Sequence, residues 1–325
     1  MNIEKYSLTE PNANIMIIEN GIIKNNRILI NNRNKDKIFL PTMYKGWYLE
    51  QKNHITFNYT DTLNVDISNN NILYIFDTWG ILSYYHLLID HIIPVWITQH
   101  IIEEYLTNNN KIIGNSDFLR ISNNNFPPEL STSNDIFKYF LKKNYKDKIS
   151  GKYKYIIYGY CYNHRACNIE YNNRYYPKYQ YILNKFINNF IKPDLQLIKE
   201  KYIIIPERIT RTYENMDAIY EKLSSLYNIK KIDYSKLNIN EQINITSSAW
   251  AMIGCEGAAF SNILFMKSES LIICLYNNDT IFFDNLSTYC GHEMYSIQYT
   301  NTEYGTIINE IETICKRYLI INPIF

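Results

Sequence analysis

The segment Trp250-Ala-Met-Ile-Gly-Cys-Glu-Gly-Ala-Ala-Phe-Ser-Asn262 carries the clearest structural signal in this chain. Its first residues are apolar and predict a buried strand. The small residues from Gly254 onward predict a tight turn into a helix that continues through Met266. The start of a helix offers unpaired N–H groups to an anion, and Gly257 allows the backbone to approach a ligand closely. The segment therefore predicts an anion-binding turn directly after a buried strand.

This turn differs from the two common glycine-rich phosphate motifs. A dinucleotide fingerprint needs glycine at position 256, where the chain has Glu256. A P-loop needs a Gly-Lys-Ser/Thr sequence, which does not follow. A carboxylate beside Gly257 and Ala258 suits the hydroxyl groups of a ribose or of an acceptor sugar. An ordinary strand-to-helix turn of an α/β sheet is the alternative.

Strands and helices alternate on both sides of this turn. An alternation of this length predicts a parallel sheet that is covered on both faces. The predicted strands are 201–205, 229–232, 250–253, 271–275 and 294–299, and the predicted helices are 213–226, 240–248, 254–266 and 279–289.

The first half of the chain is predicted to form a second α/β unit. Strands are expected at 73–76 and 155–158, a long helix at 83–106 and a shorter helix at 135–141. Pro193 disfavours helix at the preceding residue and indicates a linker. The predicted domains are therefore 1–192 and 193–300, followed by residues 301–325, where Ile307, Ile308, Ile311 and Ile314 mark one face of an amphipathic helix.

Composition excludes several classes of protein. The chain has 33 Lys and Arg residues against 32 Asp and Glu residues, so a general nucleic-acid binder is not expected. No apolar stretch reaches the roughly 18 residues of a membrane span. The six cysteines contain no CxxC pair, and no signal peptide is visible, which predicts free thiols in the cytoplasm. The abundance of Ile, Asn, Tyr and Lys is typical of an AT-rich genome.

His86 and Asp90 lie four residues apart in the predicted long helix, so they should share one face. An imidazole next to a carboxylate is the pair that general-base catalysis uses to remove a proton from a hydroxyl group. A buried histidine that is hydrogen-bonded to its own helix is the alternative. From this segment alone both interpretations stay open.

Arg208 and Arg211 follow the predicted strand 201–205 by a few residues. Ligands of open α/β sheets bind beyond the carboxyl ends of the strands. Guanidinium groups match the oxygens of phosphates, so two arginines at this place suit a diphosphate. A solvated pair on the surface is the alternative.

In their order, these segments resemble glycosyltransferase family 61, which includes plant β-xylosyltransferases and eukaryotic O-linked N-acetylglucosaminyltransferases. The resemblance covers about residues 72–300. Glu256 stands where the family usually has histidine, and the secretory anchor of the eukaryotic members is not visible. The matching segments are His-x-x-x-Asp-x-x-x-Pro in YYHLLIDHIIPVWITQH, Arg-x-x-Arg in ERITRTYEN, the pair Glu241-Gln242, GCEGAAFSNILFM for the family's Gly-Pro-His-Gly-Ala segment, and Gly291-His292 with Tyr295.

The resemblance implies a GT-B fold, in which two Rossmann-like domains face each other across a cleft and the last helix crosses back to the first domain. It implies an inverting transfer of a sugar from a nucleotide-sugar co-substrate, a UDP-sugar above all, to a hydroxyl group of a glycan or protein. No metal and no other cofactor are expected. The catalytic residues would be Asp90 and His86, and the donor would be bound by Arg208, Arg211, Glu256, Gly257, Ala258 and Asn262.

Two other functions remain as alternatives. The first is a nucleotide- or sugar-binding module that has kept the fold without catalysis. The second is an NAD-dependent oxidoreductase, which the missing glycine at position 256 disfavours.

Overall fold

The computed structural model describes most of the chain between residues 3 and 322, and all structural statements concern the residues it describes. The chain divides into two compact units, Met1–His164 and Arg165–Phe325. The described residues are 3–6, 14–24, 27–31, 56–60, 67, 69–77, 84, 86–121, 131–143, 145–146, 149–160, 177–190, 201–208, 212–277, 283–300 and 302–322.

The strands of the first unit form one mixed sheet in the order β4-β3-β2-β8-β5-β6-β7, with β1 also paired to β2. Strands β8, β5, β6 and β7 are parallel, whereas β2 runs antiparallel to β1, β3 and β8. The strands are β1 (Ile3–Tyr6), β2 (Asn14–Lys24), β3 (Arg27–Asn31), β4 (Thr56–Thr60), β5 (Ile72–Asp77), β6 (Ser116–Ile121), β7 (Tyr145–Lys146) and β8 (Gly151–Tyr160).

Two α-helices accompany this sheet, α1 (Ile93–Asn108) and α2 (Ser131–Leu141). The predicted helix 83–106 differs from the observed one, because residues His86–Ile92 form a π-helical segment that continues into α1. Pro94 lies in the first turn of α1 and has no N–H for the carbonyl of residue 90, which an α-helix would require. A local change to i→i+5 hydrogen bonds accommodates this gap.

The second unit contains a five-stranded sheet in which all strands are parallel. The order is β10-β9-β11-β12-β13, and the predicted strands all occur, with no bound shifted by more than two residues. The strands are β9 (Tyr202–Pro206), β10 (Ile229–Ile232), β11 (Ala249–Cys255), β12 (Leu271–Tyr276) and β13 (Glu293–Gln298), and the helices are α3 (Pro177–Phe190), α4 (Met216–Ser224), α5 (Ile239–Ser247), α6 (Asp284–Cys290) and α7 (Tyr304–Ile321).

The three central strands β9, β11 and β12 are buried on both faces, which explains why they read as nearly continuous apolar runs. Side chains of α4 and α7 share one core with one face of the sheet, and the side chains of the opposite face are buried as well. The predicted parallel sheet with covered faces is confirmed. Together the two units form an α/β chain, as predicted.

Two observations differ from the expected domain arrangement. Helix α3 packs on α6 and so belongs to the second unit, which places the boundary before 192; the predicted linker at Pro193 lies outside the described residues. Helix α7 packs on the second sheet, whereas we expected it on the first domain. The ring of Tyr318 in α7 stacks on Trp250 of the second sheet at 5.6 Å.

No helix among the described residues is long and apolar enough to span a membrane.

Candidate functional site

The strand order of the second sheet creates a switch point beside β9. From β9 the chain crosses to β10 on one side, and it later returns to β11 on the other side. Ligands of open parallel sheets bind in the crevice beyond the carboxyl ends of the strands at such a point. Glu207-Arg208 follow β9 there, and Glu256-Gly257 follow β11. The fold thus brings together two segments that the sequence analysis assigned to one ligand.

Arg208 lies directly over Gly257. An ideal Cβ atom on Gly257 would lie only 1.9 Å from Nη1 and 2.1 Å from Cζ of the Arg208 side chain. Nη1 of Arg208 donates a hydrogen bond to the carbonyl oxygen of Cys255 at 3.2 Å. Because the φ of Gly257 is 162°, an extended value that any residue adopts, the backbone does not require glycine there. Glycine is needed there because the guanidinium group of Arg208 occupies the space of a side chain at position 257.

The helix after the turn is a 3-10 helix, Ala258–Phe265, rather than the α-helix that we expected. Gly257 accepts the first hydrogen bond from the N–H of Phe260 at 2.9 Å. Asn262, a predicted donor-binding residue, is fully buried, and its Nδ2 donates to the carbonyl oxygen of Ala259 at 3.2 Å. Asn262 therefore stabilises the shape of the turn from within.

Cys255 supports Arg208 from the end of β11. Its Sγ accepts a hydrogen bond from the N–H of Tyr213 at 3.1 Å, which ties the start of the α4 region to the turn. Burial raises the pKa of the Cys255 thiol, although the Tyr213 N–H and the charge of Arg208 oppose this shift. The thiol is therefore protonated at neutral pH and serves to hold the turn.

Glu256 directly follows β11 and is tied to the neighbouring strand. Its N–H donates to the carbonyl oxygen of Leu275 at 2.9 Å, which extends the pairing of β11 with β12. Burial and then the Glu256 carboxylate raise the pKa of the Cys274 thiol, and the charge of Arg208 opposes this shift. The negative charge of Glu256 therefore acts close to the carboxyl end of the sheet, where the cation of Arg208 also acts.

A cleft of about 520 Å³ opens beside Arg208 within the second unit. The side chain of Arg208 and Cys255 border one part of it, and Lys231, Asp233 and Lys236 border another. The sequence analysis missed the last three residues. Asp233 directly follows β10, so the rule that ligands bind at the carboxyl ends of strands could have identified it.

Two further segments of the family resemblance support this region structurally. Glu241 and Asn238 form a capping box at the start of α5, with hydrogen bonds of 2.8 and 3.1 Å. His292 points Nε2 at the carbonyl oxygen of Ile263 at 2.9 Å and thereby holds the end of the 3-10 helix. Burial lowers the pKa of His292 to about 4, so the ring is neutral at pH 7 and must carry its proton on Nε2 to donate.

The predicted catalytic pair lies in the first unit. His86 and Asp90 both belong to the π-helical segment His86–Ile92, and their side chains lie outside the described residues. π-Helical turns are rare and are often found at functional sites. The backbone therefore marks this segment as unusual at the place where the sequence predicts a base.

Arg211, the second predicted arginine, lies outside the described residues. Three cysteines of the second unit, Cys255, Cys274 and Cys315, are free and buried. Within the described ranges, no group of three or more His, Cys, Asp and Glu side chains is arranged to hold a metal ion.

The comparisons with known proteins agree with the motifs. The family described as Glycosyltransferase 61 matches residues 84–273, more than half of the chain. The matched range begins just before the π-helical segment that contains His86 and ends in β12, so every predicted site residue lies inside it. A search of curated proteins found no match. The chain belongs to glycosyltransferase family 61.

Proposed function

We propose that this chain is an inverting glycosyltransferase. It transfers a sugar from a nucleotide-sugar, above all a UDP-sugar, and inverts the configuration at the anomeric carbon. The acceptor is a hydroxyl group of a glycan or a protein. The observation that carries the proposal is the guanidinium group of Arg208 held against Gly257 at the switch point of the second sheet. A cation fixed at this edge of a parallel sheet suits the diphosphate of a donor.

The site must stabilise the diphosphate as it leaves. As the bond between the anomeric carbon and the phosphate oxygen breaks, its electron pair stays on the diphosphate, and negative charge grows there. Fixed donors aimed at developing charge stabilise such a transition state. In the proposal, Arg208 and Arg211 supply the cations, and the backbone after Gly257, beginning at Ala258, supplies N–H groups. The arginines thus neutralise the charge on the diphosphate that a metal ion neutralises in other transferases.

The acceptor must lose a proton during the same step. Its hydroxyl oxygen attacks the anomeric carbon on the face opposite the diphosphate, and the proton passes to a base. We assign the base to the segment that contains His86 and Asp90, in which the carboxylate either takes the proton or orients the imidazole. Glu256 is assigned to hydroxyl groups of the ribose or of the acceptor sugar, because its charge acts at the same edge of the sheet as that of Arg208.

A donor screen on the whole chain tests the proposal. Melting temperature is measured with UDP, UDP-sugars, GDP-sugars and NAD, and sugar transfer or donor hydrolysis is then measured with the nucleotide-sugars that bind. We expect UDP and at least one UDP-sugar to stabilise the protein, and the Arg208→Ala variant to lose this stabilisation. Stabilisation by NAD alone would overturn the proposal.

The second candidate function is a binding module without catalysis. It keeps the switch-point site and therefore predicts the same stabilisation by UDP. It differs in that no nucleotide-sugar is consumed, even with a panel of glycan and peptide acceptors. Measurable turnover that Arg208→Ala abolishes would exclude this candidate.

We further propose that the reaction takes place in the cytoplasm. The supporting observation is that the buried cysteines Cys255, Cys274 and Cys315 are free thiols. Free thiols are typical of proteins that work in reducing compartments. Fractionation of the native host, followed by detection of the chain, would test this location.

A further inference from the structure

The cleft of about 520 Å³ lies along the carboxyl ends of β9 and β10, immediately beside the proposed diphosphate site. Its size falls within the usual range of small-molecule sites, roughly 300–1,000 Å³. Arg208 borders it, and so does the residue that follows β10, Asp233. The cleft therefore offers a cation and a carboxylate to a single ligand.

The sheet fixes the position of Asp233 relative to Arg208. Ile232, the last residue of β10, pairs with Pro206, the last residue of β9. The carbonyl oxygen of Ile232 accepts a hydrogen bond from the N–H of Glu207 at 2.8 Å. Asp233 is thus the next residue outward on β10, level with Glu207, and Arg208 follows one residue further along the neighbouring strand, so both stand at the same edge of the sheet.

Neighbouring residues hold the side chain of Asp233 through hydrogen bonds and an ion pair. Its Oδ1 accepts from the N–H of Ser235 at 3.0 Å and from the Ser235 hydroxyl at 2.5 Å, and its Oδ2 lies 2.9 Å from Nζ of Lys236. The bonds from Ser235 and then from Lys236 lower the pKa of Asp233 to about 2, so the group is a carboxylate at neutral pH. Lys236 is largely exposed, and an exposed ion pair costs little to rearrange.

We propose that the nucleoside half of the donor occupies this cleft and that the Asp233 carboxylate accepts hydrogen bonds from the hydroxyl groups of its ribose. This inference rests on the proposed function, because it places the diphosphate at Arg208. The ribose is joined to the diphosphate directly, so it must lie one strand away at most. An acidic residue at the end of a neighbouring strand is a placement that doubly wound sheets use for ribose hydroxyls.

A purely structural interpretation of Asp233 is also consistent with part of the geometry. The residue caps the short 3-10 helix Tyr234–Lys236 through Ser235. An asparagine at the same position caps a helix about as well as aspartate does, but it carries no charge. Asp233→Asn therefore separates the two roles, because it keeps the cap and weakens the acceptor.

The experiment is calorimetric titration of the full chain with UDP, 2′-deoxy-UDP, 3′-deoxy-UDP and inorganic pyrophosphate. We expect Asp233→Asn to weaken UDP binding by about tenfold or more, as for the loss of a hydrogen bond to a charged group. The loss should shrink markedly for at least one deoxy analogue and should vanish for pyrophosphate. Unchanged pyrophosphate binding also shows that the variant is folded.

The matched control is Asp217→Asn. Asp217 borders the same cleft and carries the same charge, but its side chain is 84% exposed and is paired with Lys231 at 2.5 Å. We expect this variant to bind UDP as the parent does. An equal loss in the two variants would mean that only the net charge of the cleft matters, and it would overturn the assignment of Asp233.

The results also separate this inference from the proposed function. If UDP and pyrophosphate bind the parent and Arg208→Ala loses both, while Asp233→Asn binds UDP normally, the ribose assignment is wrong and the diphosphate site stands. If Asp233→Asn weakens UDP and both deoxy analogues equally, the ribose assignment is again wrong. A parent chain that binds no UDP would remove the proposed donor site and this inference with it.

Discussion

Arg208 occupies the space that a side chain at position 257 would need, so the two positions are coupled. The group in the way is the far end of a flexible side chain, and the backbone of Gly257 is extended. An alanine at 257 would therefore move the guanidinium group without breaking the fold. The effects of substitutions at positions 208 and 257 on ligand affinity should therefore depend on each other. An ordinary strand-to-helix turn predicts no such dependence.

We predict that Gly257→Ala lowers the affinity for UDP by about tenfold or more, because the displaced Arg208 no longer meets the diphosphate. Calorimetry on the single variants and on the double variant with Arg208→Ala measures the coupling. In the Arg208→Ala background, Gly257→Ala should have little further effect. Independent, additive losses would contradict the contact between the two residues.

The identity of the catalytic base can also be tested by single substitutions. Asp90→Asn keeps the shape of the side chain and removes its basicity, so we predict that turnover falls by about 10²-fold or more while UDP affinity is unchanged. Initial rates per folded molecule, with circular dichroism as the control for folding, provide the measurement. If Asp90→Asn and His86→Ala both keep parental turnover, the base lies elsewhere, and Glu256 becomes the next candidate.

At the scale of elements, the 3-10 helix Ala258–Phe265 depends on His292, which comes from the turn before β13. Burial lowers the pKa of this histidine from its usual 6.5 to about 4, although the backbone carbonyls of Ile263 and Lys267 oppose the shift. Because the pKa of His292 is lower in the folded chain than in the unfolded chain, the unfolded chain binds the proton more readily. Protonation at His292 therefore favours unfolding.

We predict that the His292 contribution to stability is complete above about pH 6.5 and is lost as the pH falls towards 4. Within this window the free energy of unfolding should fall by up to about 1.4 kcal/mol per pH unit from this group. His292→Gln can still donate to Ile263 but does not titrate. Denaturant titrations of both proteins should show a shallower pH dependence for the variant, and identical slopes would disprove the role.

The π-helical segment is the other informative element. We expected one regular helix over 83–106, and the apolar spacing gave no sign of a change in hydrogen bonding. Pro94, in the first turn of α1, removes one donor from the helical ladder directly after this segment. Sequence could have located this interruption, because proline was visible, but the i→i+5 arrangement depends on how the whole segment packs.

At the scale of the whole molecule, each unit has its own sheet and its own buried core. We predict that UDP slows amide exchange mainly at the carboxyl ends of β9, β10 and β11, in peptides that include residues 206–208, 233–237 and 254–260. Ligand contact and reduced local opening both protect these amides. Hydrogen exchange with mass spectrometry, with and without UDP, measures the effect.

The control for this prediction is inorganic pyrophosphate, which should protect the peptides after β9 and β11 and leave the peptide after β10 unchanged. Protection by UDP confined to the strands of the first unit would contradict the placement of the donor. The same experiment on Arg208→Ala should show little protection anywhere.

The strands of the second unit could be predicted from the sequence. Runs of four or five apolar residues such as Tyr202–Ile205 are typical of central strands that are buried on both faces, so their bounds were predicted closely. Arg208 and Gly257 were predicted as site residues because they follow such strands. The family resemblance, now confirmed by the match over residues 84–273, depended on the same segments.

Which residues contact each other depends on the tertiary structure. Arg208 and Cys255 are 47 residues apart, and their hydrogen bond exists because β9 and β11 are neighbours in the sheet. Hydrophobic periodicity shows which face of an element is buried but not which partner buries it, and α7 was therefore assigned to another surface. His292 depends in the same way on the fold, because its partner Ile263 is 29 residues away in sequence. The proposed role of Asp233 depends on strand order, because only the pairing of β10 with β9 brings it to the same edge of the sheet as Arg208.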